Sequence, residues 1–231
     1  MPRPRFERLP EDKRARILDA AAREFAAHGY ENASLNKILE LAGISKGAAY
    51  YYFDDKLDLY ITTLHYCQAE LLAGLTFDPS RLTTKTFWPE ITGLYRHQFT
   101  HYYERPWVFG LAKAAGPRSL EEQAQGSLAA SQEATRGLFV QIVERGQNLG
   151  TVREDLPADL LQALLVAVDT AHDRWLSARW AELSPAGIDI AAERITGTLQ
   201  RLLAPQEVRP QQPLWWRWAT KIAPHILKSG S

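Results

Sequence analysis

The 231-residue chain has a single cysteine, Cys67, and lacks any long apolar run. A lone cysteine excludes an internal disulfide, and it agrees with a reducing cytosol and with simple packing of the thiol in a helix. No stretch reaches the roughly 18 apolar residues of a membrane span, and the N-terminal residues lack the apolar part of a secretory signal. We therefore expect a cytoplasmic protein and no membrane partner.

The chain also lacks net charge, because Lys and Arg together number 27 and so do Asp and Glu. Any basic surface for a nucleic acid must therefore be local. Residues 1–23 hold seven basic and four acidic side chains, an excess of three. This excess is consistent with an arm drawn to a DNA duplex, for example to its minor groove, and equally with a solvated, disordered tail.

Helix signals follow one another closely after this segment. Residues 11–29 form an amphipathic pattern that stops at a glycine. Ser34 can cap a short helix over residues 35–42, which Gly43 ends, and Ser45 can cap another directly after it. Two short helices joined by a glycine turn predict a helix-turn-helix.

The rest of the chain carries helical periodicity, without strand alternation or internal repeats. A long helix is predicted from Asp55 to about Leu75 without a linker. Further helices are predicted at 85–103, between Pro106 and Pro117, and at 119–147, 157–180 and 188–203. We expect an all-α fold.

The stretch "ASLNKILELAGISKGAAYYYFDDKLDLY", residues 33–60, resembles the helix-turn-helix signature of the tetracycline-repressor (TetR) family. With the preceding helix the resemblance covers about residues 11–64. It implies an N-terminal arm and three-helix DNA-binding domain over 1–56, and a helical ligand-binding and dimerisation domain over 57–231. It also implies a homodimeric transcriptional regulator, most often a repressor released from a palindromic operator by a small molecule, with no cofactor and no enzymatic activity.

The resemblance assigns DNA-facing roles to residues around the second short helix. Lys46 is the expected reader of a base edge, with small neighbours giving clearance, while Tyr50 and Tyr51 reach phosphates. The alternative for the tyrosines is packing within the small bundle, and for Asn36 and Lys56 a plain surface position. The predicted DNA-binding residues are Ser34, Asn36, Lys37, Ser45, Lys46, Gly47, Ala48, Tyr50, Tyr51 and Lys56.

Aromatic side chains crowd the predicted helix at 85–103 and the segment after it. They form either ordinary core or, as the resemblance implies, the wall of an apolar effector cavity with a few polar anchors. The predicted ligand-binding residues are Trp88, Tyr95, Phe99, Tyr102, Trp107, Phe109, Asp169, His172 and Asp173. His97 and His101 have a spacing that suits a metal ion, but no compact motif supports one, and we expect no metal site.

The helices predicted at 157–180 and 188–203 have more apolar side chains than a helix with one solvated face requires. They resemble the helix pair that forms the family's dimer interface. The tryptophan-bearing amphipathic segment 213–228 either packs on a subunit or lies on a membrane, and we favour packing. Two other classes stay open at this stage: an interaction module without DNA binding, and an all-α enzyme. No nucleophile triad or phosphate-binding glycine loop supports an enzyme.

Overall fold

The computed structural model describes residues 2–73, 75–113, 133 and 136–205, and within these ranges every regular element is helical. Two short 3₁₀ turns occur at Pro79–Arg81 and Trp180–Glu182. The prediction of an all-α fold is confirmed. In chain order the helices are α1 Pro4–Glu7, α2 Glu11–Asn32, α3 Leu35–Ala42, α4 Lys46–Tyr52, α5 Lys56–Leu72, α6 Phe87–Glu104, α7 Pro106–Lys113, α8 136–148, α9 Ala158–Ser177 and α10 Pro185–Leu203.

Side-chain caps and one glycine set the helix-turn-helix. The Ser34 hydroxyl accepts a hydrogen bond from the Lys37 backbone N–H at 3.3 Å, and the Ser45 hydroxyl accepts one from the Ala48 N–H at 3.3 Å. Between the two helices Gly43 has a φ of 66°, in the left-handed region that glycine adopts without strain. The turn predicted from the sequence is therefore present.

The N-terminal bundle is held by fully buried apolar side chains of three helices. Ile17, Phe25 and Ile38 are each 0% exposed, and Leu59 of α5 is 1% exposed. Each such side chain stabilises the fold by about 1.5–3 kcal/mol relative to an exposed position. At the predicted stop, Gly29 has a φ of 69°, outside the helical region, so α2 breaks there and a short helical turn follows to Asn32.

Helix α5 leaves this bundle and runs into the second half of the molecule. Its N-cap is Asp55, whose carboxylate accepts the Asp58 N–H at 2.8 Å. The helix ends at Leu72, short of the predicted end near Leu75, and its 17 residues span about 25 Å. The domain boundary at residues 56 and 57, which stays a prediction, falls at its first turn.

In the second half α6 packs along α10, and α7 packs back onto α2. The amphipathic segment 213–228 and most of the first half of the helix predicted at 119–147 lie outside the described residues. The helix predicted at 157–180 is present as α9, and α10 begins three residues before its predicted start. No helix in the described part of the chain is long and apolar enough to cross a membrane.

Candidate DNA-binding surface and internal cavity

The aromatic run of α4 divides between solvent and core. Tyr50 and Tyr51 are 51% and 46% exposed, whereas Tyr52 and Phe53 are 9% and 4% exposed. Successive helical side chains point about 100° apart, so the three adjacent tyrosine rings of α4 cannot share one face. Phe53 therefore belongs to the core of the small bundle, and the two exposed phenols are accessible to DNA phosphates, a contact that stays a prediction.

The other predicted DNA-facing residues surround these phenols. Lys46 and Gly47 are exposed, and within the described ranges no carboxylate lies within ion-pair distance of Lys46. Asn36 is exposed on α3, and the neighbouring Lys37 ammonium pairs with the Glu40 carboxylate at 3.0 Å. An exposed ion pair of this kind contributes little free energy, so it does not prevent the Lys37 ammonium from binding a phosphate.

Lys56, the first residue of α5, is more constrained than a surface lysine. Its ammonium donates a hydrogen bond to the Glu31 carbonyl at 3.0 Å and lies 4.9 Å from the centre of the Tyr30 ring. The lysine therefore ties the end of α2 to the start of α5. Its remaining N–H groups lie at a helix N-terminus, where backbone amides favour an anion.

The basic N-terminal segment is docked on the protein rather than being a disordered tail, and its attraction to a duplex stays a prediction. Phe6 is 2% exposed, with its ring centre 4.7 Å from that of Phe53 and 6.1 Å from that of Tyr52. The backbone N–H of Arg3 donates to the Tyr52 carbonyl at 2.9 Å. Burial of Phe6 is the physical reason that α1 lies against α4.

A cavity of about 360 Å³ lies between the end of α5 and helices α6, α8, α9 and α10, a volume typical of small-molecule sites. Its apolar lining is Leu71, Leu72, Leu75, Phe87, Trp88, Ile91, Leu94, Leu138, Phe139, Ile142, Val143, Val152, Leu165, Leu199 and Leu203. Its polar lining is Gln68, Tyr95, His97, Gln98 and Asp169. The wall is therefore mostly aliphatic, with few polar groups.

Three of the predicted ligand-binding residues, Trp88, Tyr95 and Asp169, lie on this wall. The structure does not place the others there: Phe99, Tyr102, Trp107, Phe109, His172 and Asp173. The alternative of ordinary core packing accounts for most of the aromatic members of this second group.

The rings away from the cavity pack on one another instead. Phe99 is 0% exposed and stacks on His172, with ring centres 5.6 Å apart. Tyr102 stacks on Phe109 of α7 at 5.0 Å. Trp107 supports the Arg23 guanidinium, which lies 3.5 Å from the ring centre. Helical spacing in the sequence does not distinguish these core rings from the rings that line the cavity, because both groups recur at that spacing.

The polar part of the wall is centred on Asp169. The Tyr95 hydroxyl donates a hydrogen bond to the Asp169 carboxylate at 2.8 Å. Burial raises the pKa of Asp169 above its ordinary value, although the hydrogen bond from Tyr95 opposes that rise. Burial, with the adjacent Asp169 charge, raises the pKa of Tyr95. Within the described residues no group of His, Cys, Asp and Glu has the arrangement of a metal site.

The end of α5 is fixed to α6 beside the cavity. His97 Nε2 donates a hydrogen bond to the Leu71 carbonyl at 2.8 Å, and Arg105 pairs with Glu70 at 2.7 Å. Leu71 and Leu72 themselves belong to the wall. A molecule in the cavity therefore touches the last turn of the helix whose first residue stands beside the helix-turn-helix.

A second connection joins the two halves and was not predicted. A Cβ added to Gly110 of α7 would lie 3.1 Å from the Ala26 Cβ of α2, so the two backbones approach closely. The aliphatic wall residues of α8 were also missed, although Leu138, Ile142 and Val143 recur at helical spacing. That spacing was the available signal.

Comparison with known proteins agrees with this arrangement. The family model described as "Bacterial regulatory proteins, tetR family" matches residues 17–62. The transcriptional repressor AcnR of Corynebacterium diphtheriae is 25% identical over 201 residues, covering 87% of this chain and 94% of that protein.

Solved structures extend the comparison. A TetR family transcriptional regulator from Chloroflexus aurantiacus aligns with a TM-score of 0.58 and 27% identity, covering 89% of this chain and 100% of that one. FadR from Bacillus subtilis, solved with stearoyl-CoA, aligns with a TM-score of 0.66 and 16% identity over 80% of this chain and 96% of that one, a likeness of fold alone. The family model thus assigns residues 17–62 to the helix-turn-helix of the TetR family, and over most of its length the chain is similar to transcriptional regulators, not to enzymes.

Proposed function

We propose that the protein is a homodimeric repressor that binds a roughly palindromic operator and leaves it when a small, largely apolar or aromatic molecule fills the cavity. The observation that carries this proposal is the position of α5. Its first residue, Lys56, stands beside the helix-turn-helix, and its last turn supplies Leu71 and Leu72 to the cavity wall.

DNA recognition rests on the exposed start of α4. The N-terminal residues of a recognition helix meet base edges in the major groove. Lys46 has a flexible cationic side chain suited to the guanine acceptors, and the small Gly47 and Ala48 allow the backbone to approach. Tyr50 and Tyr51 are exposed enough to bind phosphates and to fix the register of the helix without reading sequence.

Dimerisation rests on apolar side chains that α9 and α10 leave exposed. Leu160 and Val166 of α9 are 44% and 55% exposed, and Ile190 of α10 is 54% exposed. Together they give the two helices an apolar outer surface that a second copy can cover. A two-fold dimer uses the same surface on both subunits, so its two recognition helices meet a DNA site with matching two-fold symmetry.

The effector class follows from the composition of the wall. Aliphatic and aromatic groups dominate it, and among the described lining residues none is Lys or Arg. An anionic headgroup therefore finds no cationic partner in this wall, whereas Asp169 offers a carboxyl group to a hydrogen-bond donor or a cation. FadR, which shares the fold with this chain, was solved with a different kind of ligand, stearoyl-CoA. For this chain we favour a neutral or cationic apolar molecule.

Selection of bound duplexes from a random pool, combined with light scattering, tests the DNA-binding and dimer parts of the proposal. We expect a dimer at micromolar concentration and a consensus of two inverted half-sites, about one helical turn apart or somewhat more. A monomer that binds a single half-site with full affinity would contradict both parts.

A further inference from the structure

The guanidinium of Arg5 lies over the ring of Tyr51, 4.1 Å from its centre. This contact joins α1 to the exposed side of the recognition helix, because Tyr51 is 46% exposed. Within the described residues no carboxylate lies within ion-pair distance of Arg5. The cation is therefore exposed, fixed by an aromatic face and not neutralised by a nearby acid.

Neighbouring contacts of α1 hold Arg5 in this position. Arg3 donates hydrogen bonds from Nε to Asp54 at 2.8 Å and from a terminal nitrogen to the Tyr50 carbonyl at 2.8 Å. Phe6 is buried beneath the aromatic run, as described above. Helix α4 has only seven residues, and its last carbonyls have no partner within the helix, so these bonds also complete its C-terminal end.

We propose that Arg5 is a DNA-backbone contact that Tyr51 positions beside its own phenol. Stacking uses the face of the guanidinium and leaves the N–H groups at its edge, which suit a phosphate. If Tyr51 binds a phosphate as proposed above, that phosphate lies next to Arg5. The inference rests on the proposed DNA-binding function and adds α1 to the DNA-binding surface.

The salt dependence of DNA binding separates a phosphate contact from a structural role. Each neutralised phosphate adds about 0.9 to the slope of log affinity against log salt concentration. Arg5→Gln should flatten that slope by about one unit, equally for the operator and for an unrelated duplex. The ratio of wild-type to variant DNA affinity should therefore fall about 3.5-fold between 50 and 200 mM salt. Arg5→Lys keeps the charge and should keep the slope.

Two comparisons test the position of the cation. Arg8→Gln removes the same charge from an exposed residue of the same segment and should leave the slope unchanged. The effect of Arg5→Gln should persist in a Tyr51→Phe background, where the ring remains, and should largely vanish in a Tyr51→Leu background. Thermal melting of each variant checks that the fold is retained.

The inference is overturned if the wild type binds its operator and Arg5→Gln leaves the slope unchanged, or if Arg8→Gln flattens it equally. The first result would show that Arg5 does not contact DNA, and the second would indicate a general effect of charge on DNA binding. In either case the proposed function stands. Failure of the wild type to bind any selected duplex would instead overturn the proposed function and this inference together.

Discussion

Replacing Asp169 by Asn should change which molecules the cavity prefers. The substitution removes a charge with little change in shape, and the Asn side-chain oxygen can still accept the hydrogen bond that Tyr95 makes at 2.8 Å. Among the described lining residues Asp169 carries the one carboxylate, and none is Lys or Arg. The charge of the wall therefore depends mainly on this residue.

The expected magnitude is set by two opposing effects. An ammonium group 4 Å from a carboxylate gains about 4 kcal/mol at an effective dielectric constant of 20. Loss of water from both groups offsets part of this gain, and the raised pKa of Asp169 indicates that its carboxylate is already poorly solvated. A net 1.5–3 kcal/mol is typical of a hydrogen bond to a charged group, which corresponds to about 10- to 150-fold in affinity.

A matched pair of ligands isolates this contribution. We would measure the affinities of an alkylbenzylamine and of the alkylbenzyl alcohol with the same chain length by calorimetry. The wild type should favour the amine, and Asp169→Asn should lower amine affinity about 10- to 150-fold while changing alcohol affinity little. An amine-to-alcohol ratio that is the same in both proteins would refute a role for Asp169 in selecting the effector.

The raised pKa of Asp169 also gives this prediction a pH dependence. Amine affinity should increase as pH rises through that pKa, because the carboxylate forms there. In the unliganded protein the folded state holds the proton more tightly than the unfolded state. The free energy of unfolding should therefore fall as pH rises from the ordinary value of 3.8 through the raised pKa. Denaturant unfolding should show this fall in the wild type and a smaller one in Asp169→Asn.

Three further predictions concern DNA and packing. Lys46→Ala should relax preference at one base position, at a cost of about 1–3 kcal/mol, in a selection experiment. Lys56→Ala should weaken binding to every duplex and flatten the salt slope by about one unit. Gly146→Ala places a Cβ 2.7 Å from Phe87 Cζ, and this crowding should lower the free energy of unfolding by about 1–3 kcal/mol. Gly137→Ala in the same helix faces open space and should raise the free energy of unfolding slightly.

The helix-turn-helix could be predicted because its signals are local. Ser34 and Ser45 each cap the helix that follows them, and Gly43 supplies the one backbone conformation that the turn requires. The division of the tyrosine run follows from the 100° rotation between neighbours. These features depend on a few adjacent residues, and distant parts of the chain change them little.

The cavity wall could be predicted only in part because it depends on how α6 rotates against α9 and α10. Tyr95 and Phe99 are four residues apart and share a face, yet Tyr95 reaches Asp169 on the wall while Phe99 covers His172. The docked N-terminal segment was missed for a similar reason. Its charge excess is visible in the sequence, but the contact depends on burial of the Phe6 side chain against α4.

Coupling between the cavity and DNA is tested most directly by measuring operator affinity with and without a saturating cavity ligand. Ligands would come from a tryptophan-fluorescence screen, and Val143→Phe, which fills the cavity from its wall, provides the control. We expect the ligand to lower operator affinity about 5- to 150-fold, operator DNA to lower ligand affinity by the same factor, and Val143→Phe to bind DNA without responding. Unchanged operator affinity with every ligand whose binding Val143→Phe abolishes would contradict effector release.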